Sequence, residues 1–209
     1  MRRRFLIFDF DGTLADTFDL FLKVFDEAAA VHGFNRFDRE NVDYLRTLDA
    51  QNILRHHKVP MWKLPMIMRT TRTLMAQRIR GIRLFDEIDH TLTCLHEKGA
   101  TLALLTSNSR SNVLRVLGSE IAGRFSYLEC GASLFGKRSK IKKLLAQSGF
   151  TVEESMLIGD EIRDAQAALQ TGVAFGAVSW GYSTMSALLN VGAQEYFFDP
   201  RELATKLTA

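Results

Sequence analysis

The sequence predicts an α/β fold, in which a small α-helical cap follows the first strand of a doubly wound parallel-sheet (Rossmann-like) core. Short apolar runs bounded by turn residues alternate with helical patterns, as in parallel sheets that helices cover on both faces. The interval 16–83 interrupts this alternation and contains only helical patterns. A chain of 209 residues has room for one ordinary domain and a modest insertion. We therefore expect a core made of 1–15 and 84–209 and a cap made of 16–83.

The elements follow from the periodicity of each segment. The first, second and fourth strand patterns are almost continuously hydrophobic, which is typical of parallel strands buried on both faces. In the core, strands are expected over 5–10, 101–107, 126–131, 155–160 and 173–181, and helices over 88–98, 110–118, 138–148 and 162–171. In the cap, helical patterns cover 17–32, about 39–56 and 61–80, with Pro60 and Pro65 marking breaks.

Composition excludes several classes of protein. Hydrophobic residues make up 46% of the chain and charged residues 24%, which excludes disordered and collagen-like chains. The net charge of +3 is too small to indicate a nucleic-acid partner.

The start of the chain does not have the pattern of a signal peptide. Only the four residues FLIF separate the start MRRR from Asp9, whereas a signal-peptide core needs about 7 to 15 apolar residues. No stretch approaches the roughly 18 apolar residues of a membrane helix. Because Cys94 and Cys130 also suit a reducing compartment, we expect a cytoplasmic protein without a membrane partner.

Polar side chains close three of the predicted strands. Asp9 and Asp11 end the first strand, Thr106-Ser107-Asn108 the second, and Asp160 the fourth. The carboxyl ends of parallel strands meet at one edge of the sheet, where ligands bind. Each acid could instead cap the helix that follows it. That alternative is reasonable for Asp160 alone and poor for Asp9 and Asp11 together.

These acids predict a metal site. Two carboxylates about 4 Å apart repel each other by roughly 4 kcal/mol at an effective dielectric constant near 20. Adding Asp160, and Asp164 four residues later, requires a cation. Ligands that are all oxygen favour a hard ion, with Mg²⁺ the first candidate. A calcium-binding loop does not fit, because Asp11 is followed by Gly-Thr-Leu rather than by acids at alternate positions.

Three motifs resemble the signatures of the haloacid dehalogenase superfamily, in their family order. "DFDGTLADT" is similar to the first signature in its phosphatase form, Asp-x-Asp-Gly-Thr. "LALLTSNS" resembles the second, and "MLIGDEIRDAQAA" the fourth. The position of the helical insertion makes phosphoglycolate phosphatase-like proteins the most similar branch.

The resemblance implies roles for the candidate residues. Asp9 would be the nucleophile that forms an aspartyl-phosphate, and Asp11 the general acid and then the general base. Mg²⁺ would be bound by Asp9, the Asp11 carbonyl and Asp160. Thr106, with backbone N–H groups of Asp11 or Ser107, would bind the phosphoryl group. Asp164 would orient the metal waters or the lysine.

The remaining candidates are basic residues. The third signature is a lysine, often followed by proline in relatives, whereas this chain has "FGKRSKIKKLL". Lys137 is our choice for the phosphate lysine and Lys140 the alternative. Arg46 lies in the insertion where related caps place a substrate-contacting residue, although a solvated arginine explains it equally well. His56 and His57 have no partner acid or cysteine at metal spacing and are expected at the surface.

We therefore expect an Mg²⁺-dependent phosphatase that hydrolyses a small soluble phosphate monoester, such as phosphoglycolate or a sugar phosphate. A phosphomutase on the same scaffold and a non-catalytic phosphate-binding or regulatory protein remain alternatives. The sequence does not select the ester or the oligomeric state.

Overall fold

The computed structural model describes residues 3–133 and 136–208 and contains one six-stranded sheet. All neighbouring strands pair in parallel, in the order β3-β2-β1-β4-β5-β6. The sheet confirms the predicted α/β class. Its strands are β1 Phe5–Phe8, β2 Thr101–Leu105, β3 Phe125–Glu129, β4 Ser155–Gly159, β5 Ala174–Val178 and β6 Glu195–Phe197.

Helices cover both faces of the sheet, as doubly wound folds require. Alternate residues of β1 point to opposite faces. Leu6 and Phe8 pack with the apolar residues of α5, α6 and α10, and Phe5 and Ile7 with those of α7, α8 and α9. These core helices are α5 Ile88–Glu97, α6 Arg110–Ala122, α7 Lys137–Ser148, α8 Ile162–Leu169, α9 Met185–Asn190 and α10 Pro200–Leu207.

Between β1 and α5 the described elements are all helical, and we call the segment 16–83 the cap. Its centre is an apolar cluster that includes Phe25, Phe37 and Ile67. At its base the two chain segments run side by side, because Ala15 bridges to Leu84 in antiparallel fashion. The cap helices are α1 Phe18–His32, α2 Val42–Leu45, α3 Ala50–His56 and α4 Leu64–Arg78, with 3₁₀ turns at Met61–Lys63 and Ile79–Gly81.

Two expectations for the cap were wrong. The single helix expected over about 39–56 is two short helices, α2 and α3. The chain breaks because Asp49 adopts extended backbone and its carboxylate accepts the Asn52 N–H at 2.8 Å, which begins a new helix. His57, expected at the surface, is buried against Phe25 and Phe37.

The segment after residue 181 contains three elements that the sequence patterns did not indicate: α9, β6 and α10. They extend the sheet by one edge strand and cover it. Among the residues that the structure describes, no helix has both the length and the apolar character needed to cross a membrane.

Candidate active site

The candidate site lies at the carboxyl ends of β1, β2 and β4, the three adjacent strands at the centre of the sheet. The strands end before the polar residues begin, at Phe8, Leu105 and Gly159. The loops that follow therefore carry Asp9 and Thr106 towards the same edge, which agrees with the expected convergence of these segments.

Three buried carboxylates and one buried lysine form the centre of the site. Carboxylate oxygens of Asp9, Asp160 and Asp164 all lie within 4.8 Å of one another. Lys137 Nζ is 2.6 Å from Asp9 Oδ2 and also forms an ion pair with Asp164. The side chains of all four residues are at most 3% exposed. Three acids thus face one lysine without bulk water to screen their repulsion.

The protonation equilibria of these groups reflect that imbalance. Burial raises the pKa of Asp9 to about 7, even though Lys137 acts to lower it. Burial, with the nearby charges of Glu161 and Asp9, raises the pKa of Asp160 well above its ordinary value. Burial acts to lower the pKa of Lys137, but Asp164 and Asp9 outweigh it and the pKa rises. The cluster needs additional positive charge to keep its carboxylates ionised at neutral pH.

A hard divalent cation fits this centre. The lysine contact with Asp9 Oδ2 lacks hydrogen-bond alignment, so this buried oxygen accepts no hydrogen bond within the described chain. The available donors are carboxylate oxygens, with no histidine or cysteine among them, which is the ligand chemistry of Mg²⁺. Its predicted ligands Asp9 and Asp160 are both in the cluster.

The Asp160 carboxylate is held in place by two neighbouring loops. Thr13 Oγ1 donates to one of its oxygens at 2.6 Å, and the Tyr182 N–H donates to the other at 2.7 Å. Gly12 has φ +80°, and a methyl group at Gly12 or Gly181 would overlap Asp160. Glycine is therefore required at both positions for the backbone to approach the carboxylate.

Asp11 occupies different surroundings from Asp9. Its carboxylate accepts from Asn108 Nδ2 at 3.1 and 3.3 Å and from Thr106 Oγ1 at 3.4 Å. It is outside the three-carboxylate cluster, so any part in metal binding falls to its backbone carbonyl, as expected from the resemblance. The Asp11 side chain is partly exposed to a cavity, and the burial of the rest raises its pKa. Asn108 was not among the predicted site residues; its place at a strand's carboxyl end was the available signal.

The two candidate lysines have separate environments. Lys137 opens α7 and reaches into the centre of the site. Lys140, one helical turn later, forms a 2.7 Å ion pair with Glu129 on the partly exposed side of the helix. Phe135, part of the motif that selected Lys137, lies outside the described residues. The geometry favours Lys137 over Lys140.

Asp164 and Arg46 have structural contacts that the sequence did not indicate. Asp164 closes a capping box at the start of α8, accepting the Glu161 N–H at 3.2 Å in addition to its ion pair with Lys137. Arg46 donates through Nε and Nη2 to the carbonyls of Tyr182 and Gly181, at 3.0 and 2.9 Å. Two of its donors are therefore occupied by a core loop rather than free for substrate.

A cavity of about 190 Å³ opens beside this centre, between the cap and the carboxyl edge of the sheet. Asp11, Ser107, Asn108 and Arg163 line it on the core side. Its other walls come mainly from the apolar side chains of α1, α3 and α4. Ser107 and Arg46 both reach this cavity, so every predicted site residue borders either the carboxylate centre, the Asp11 contacts or the cavity.

The sequence matches the model of the haloacid dehalogenase-like hydrolase family over residues 6–178, most of the chain. The chain therefore belongs to the haloacid dehalogenase-like hydrolase family. This confirms the resemblance inferred from the three motifs, and with it the expectation of an enzyme.

The relatives that this chain matches are named for different activities. A phosphoglycolate phosphatase of Synechococcus elongatus is 27% identical over 204 residues, which make up 97% of this chain and 96% of the relative. The pyrophosphatase PpaX of Anoxybacillus flavithermus is 24% identical over 191 residues, 84% of this chain and 83% of the relative. A haloacid dehalogenase-like family hydrolase from Streptococcus pneumoniae superimposes with a TM-score of 0.81 at 21% identity, covering 99% of each chain. This last likeness shows a shared fold.

Proposed function

We propose that this hydrolase is an Mg²⁺-dependent phosphatase that cleaves a small phosphate monoester in the cytoplasm through an aspartyl-phosphate on Asp9. One observation carries the proposal: two carboxylates only two residues apart have different partners. Asp9 lies among Lys137 and two acids, and Asp11 lies among an amide and a hydroxyl. Phosphoryl transfer to a carboxylate needs such a division between a nucleophile and a proton donor.

Asp9 is suited to attack phosphorus when it is ionised. Its pKa of about 7 means that added positive charge near the cluster converts it fully to the carboxylate at neutral pH. Lys137, 2.6 Å from Asp9 Oδ2, provides one positive charge that also attracts the phosphoryl oxygens. Mg²⁺, held by Asp9, Asp160 and the Asp11 carbonyl, would supply the further charge that offsets the phosphate.

Asp11 is suited to proton transfer. Burial raises its pKa, which favours the protonated form that can donate to the leaving alcohol. Once deprotonated, the same carboxylate can accept a proton from the water that hydrolyses the aspartyl-phosphate. Its bonds to Asn108 hold it towards the cavity. Thr106 and Ser107, which follow β2, provide hydroxyl and backbone donors for the phosphoryl oxygens.

The size of the site and the names of the relatives support a small substrate. The cavity lies between the cap and the core, and a leaving group bound in it is limited by that space. Two relatives are named for phosphoglycolate and pyrophosphate chemistry, and both substrates are small. Because one fold can carry different activities, the particular ester is identified by experiment.

The test is a panel of small phosphate esters assayed with Mg²⁺, with EDTA and with an Asp9→Asn variant. We expect phosphate release from at least one ester with Mg²⁺, its loss in EDTA, and a decrease of more than about 10³-fold in Asp9→Asn. Asp43→Asn, on an exposed cap position, is the control and keeps wild-type activity. Activity that survives EDTA or Asp9→Asn would overturn the proposal, and conversion to an isomeric ester without free phosphate would identify a mutase.

A further inference from the structure

The cavity next to Asp11 has an uneven distribution of polar groups. Its core side carries the side chains of Asp11, Ser107, Asn108 and Arg163. Towards the cap, the walls are formed by aromatic and aliphatic side chains from several cap segments, among them Phe21, Phe37, Ile53, Leu54, Ile67 and Met68. A phosphate bound at Asp9 would therefore direct the rest of the ester into an apolar space.

Three polar side chains in the cap walls already have hydrogen bonds within the protein. Asp49 accepts the Asn52 N–H at 2.8 Å, and Thr71 donates to the Ile67 carbonyl at 2.9 Å. Arg46 donates to two carbonyls of the core loop. Among the apolar cap side chains, away from Arg72 and Arg163, a polar leaving group would lose its hydrogen bonds to water and find few replacements, which is costly.

Arg72 is a further charged cap residue in the lining, and its buried Nε has no hydrogen-bond partner among the described residues. Its Nη2 donates at 3.1 Å to the Ala132 carbonyl. The N–H of Ala132 in turn donates to the Thr106 carbonyl at 3.0 Å. This arrangement places the guanidinium beside the strand end that carries the phosphate-binding hydroxyl, at the charged end of the cavity.

The volume of the cavity also indicates the size of the leaving group. A buried apolar cavity of about 150 Å³ in another protein binds benzene, and this cavity measures about 190 Å³. Glycolate has only two carbons, one of them in its carboxylate, and would leave most of such a space empty. An apolar group at least as large as a benzene ring would fill it and remove its walls from water.

We propose that the preferred substrate is a phosphate monoester whose leaving alcohol is apolar and at least the size of a benzene ring, held between α1, α3 and α4. The preference among hydrolysed esters rests on the proposed phosphatase function. The apolar space itself can be tested without hydrolysis.

The kinetic test uses n-alkyl phosphates from ethyl to hexyl, because their leaving alcohols have nearly the same acidity. Burial of each methylene contributes about 0.8 kcal/mol, so kcat/KM should rise by about fourfold per methylene until the cavity is full. Phosphoglycolate should be a poorer substrate than hexyl phosphate. Constant kcat/KM along the series, or a preference for phosphoglycolate, would overturn the inference.

Two methionines of α4 provide matched variants. Met68 lines the cavity, whereas Met66 is 49% exposed and does not. Met68→Trp should fill the space and reduce the ratio of hexyl to ethyl phosphate kcat/KM at least about tenfold, and Met66→Trp should leave that ratio unchanged. Equal ratios in both variants would contradict the assignment of the leaving group to this cavity.

Calorimetric binding of n-alkylphosphonates, which are not hydrolysed, separates the two proposals. Affinity that increases with chain length in the wild-type protein and not in Met68→Trp supports the apolar site, even if no ester is cleaved. In that case only the phosphatase proposal fails. Affinity independent of chain length would overturn the apolar site, whatever the enzyme hydrolyses.

Discussion

Asp9 and Asp160 are buried where a carboxylate would normally be protonated. The positive charge around them is too small to balance the cluster. Lys137 balances one negative charge of a three-carboxylate cluster. Burial raises the pKa of Asp9 and of Asp160. The free protein is therefore under electrostatic strain that a bound cation would relieve, and this has a measurable effect on stability.

We predict that Mg²⁺ stabilises the wild-type protein and that Asp160→Asn removes most of this effect. At a Mg²⁺ concentration about 100 times its Kd, the free energy of unfolding should increase by about 2.7 kcal/mol. Thermal unfolding with and without Mg²⁺ measures it. In EDTA, Asp160→Asn should be at least as stable as the wild type, because a buried carboxyl group that is costly to ionise is replaced by a neutral amide. An equal Mg²⁺ shift in both proteins would show that Asp160 is not a ligand.

The sequence predicted the acids at this site because their type and spacing are unusual for strand ends. It placed Asn108 at the same edge of the sheet but gave it no role, since an amide after a strand is common in ordinary turns. It also suggested a substrate contact for Arg46, whereas the structure bonds its guanidinium to a core loop. Both differences depend on tertiary contacts between segments over 90 residues apart, which periodicity does not record.

At the scale of elements, the strongest predictions came from long apolar or amphipathic segments. The five predicted strands and four core helices all occur, with ends that differ by a few residues. Of the three elements missed after residue 181, two are very short, since β6 has only three residues and α9 only six. Short elements such as these are stabilised by packing on the existing sheet rather than by their own pattern.

The cap contains a buried histidine that links its helices. His57 Nδ1 donates to the Ile53 carbonyl at 2.9 Å, and Nε2 accepts the Asp38 N–H at 3.2 Å. Because Nε2 accepts a backbone N–H, the ring is neutral in this structure. Burial lowers the pKa of His57, with the neighbouring His56 adding to the decrease and Asp38 and Asp26 opposing it.

We predict that His57 makes the protein less stable as pH falls from 7 to 5. Since folding lowers its pKa, the unfolded chain takes up the proton first, and the free energy of unfolding decreases as pH falls through about 6.5. Urea unfolding at several pH values measures this slope. His57→Gln should make the slope smaller than in the wild type, and His56→Gln should change it much less.

Asp9 titrates in the same range with the opposite sign, because its folded pKa is raised. The comparison between each variant and the wild type removes that contribution, since Asp9 is present in all three proteins. If the free energy of unfolding of His57→Gln depended on pH as steeply as that of the wild type, the prediction would be contradicted.

At the scale of the whole molecule, the cap is tied to the loops that form the site. Arg46 bonds to the loop that also supplies the Tyr182 N–H to Asp160. The Tyr182 hydroxyl forms a 3.0 Å hydrogen bond with Thr17 at the start of α1. Arg72 bonds from α4 to Ala132. The position of the cap is therefore coupled to the residues that hold the carboxylate cluster.

We predict that Arg46→Ala weakens cap closure for every substrate alike. The KM should rise by a similar factor for ethyl and hexyl phosphate, and amide hydrogen exchange should become faster in the cap. Arg39→Ala, which removes an ion pair within the cap, is the control and should change neither. A KM increase confined to one leaving group would instead support the substrate contact suggested by the sequence.

The motifs predicted the family and the placement of the site, because a parallel sheet gathers its strand ends at one edge. The division at residues 15 and 84 remains a prediction, supported by the pairing of Ala15 with Leu84. The apolar cavity could not be predicted, since its walls combine residues from several cap segments whose packing is set only in the folded chain.

The most direct test of the central claim is detection of a phosphoryl group on Asp9. The Asp11→Asn variant, with Mg²⁺ and p-nitrophenyl phosphate, whose leaving group departs without a general acid, is quenched in acid, digested and analysed by mass spectrometry. Loss of the general base should slow hydrolysis of the intermediate, so the phosphoryl mass should appear on the peptide at Asp9 and disappear in an Asp9→Asn, Asp11→Asn double variant. Phosphate release by the wild type, with no phosphoryl group found on Asp9 in the single variant, would contradict the account.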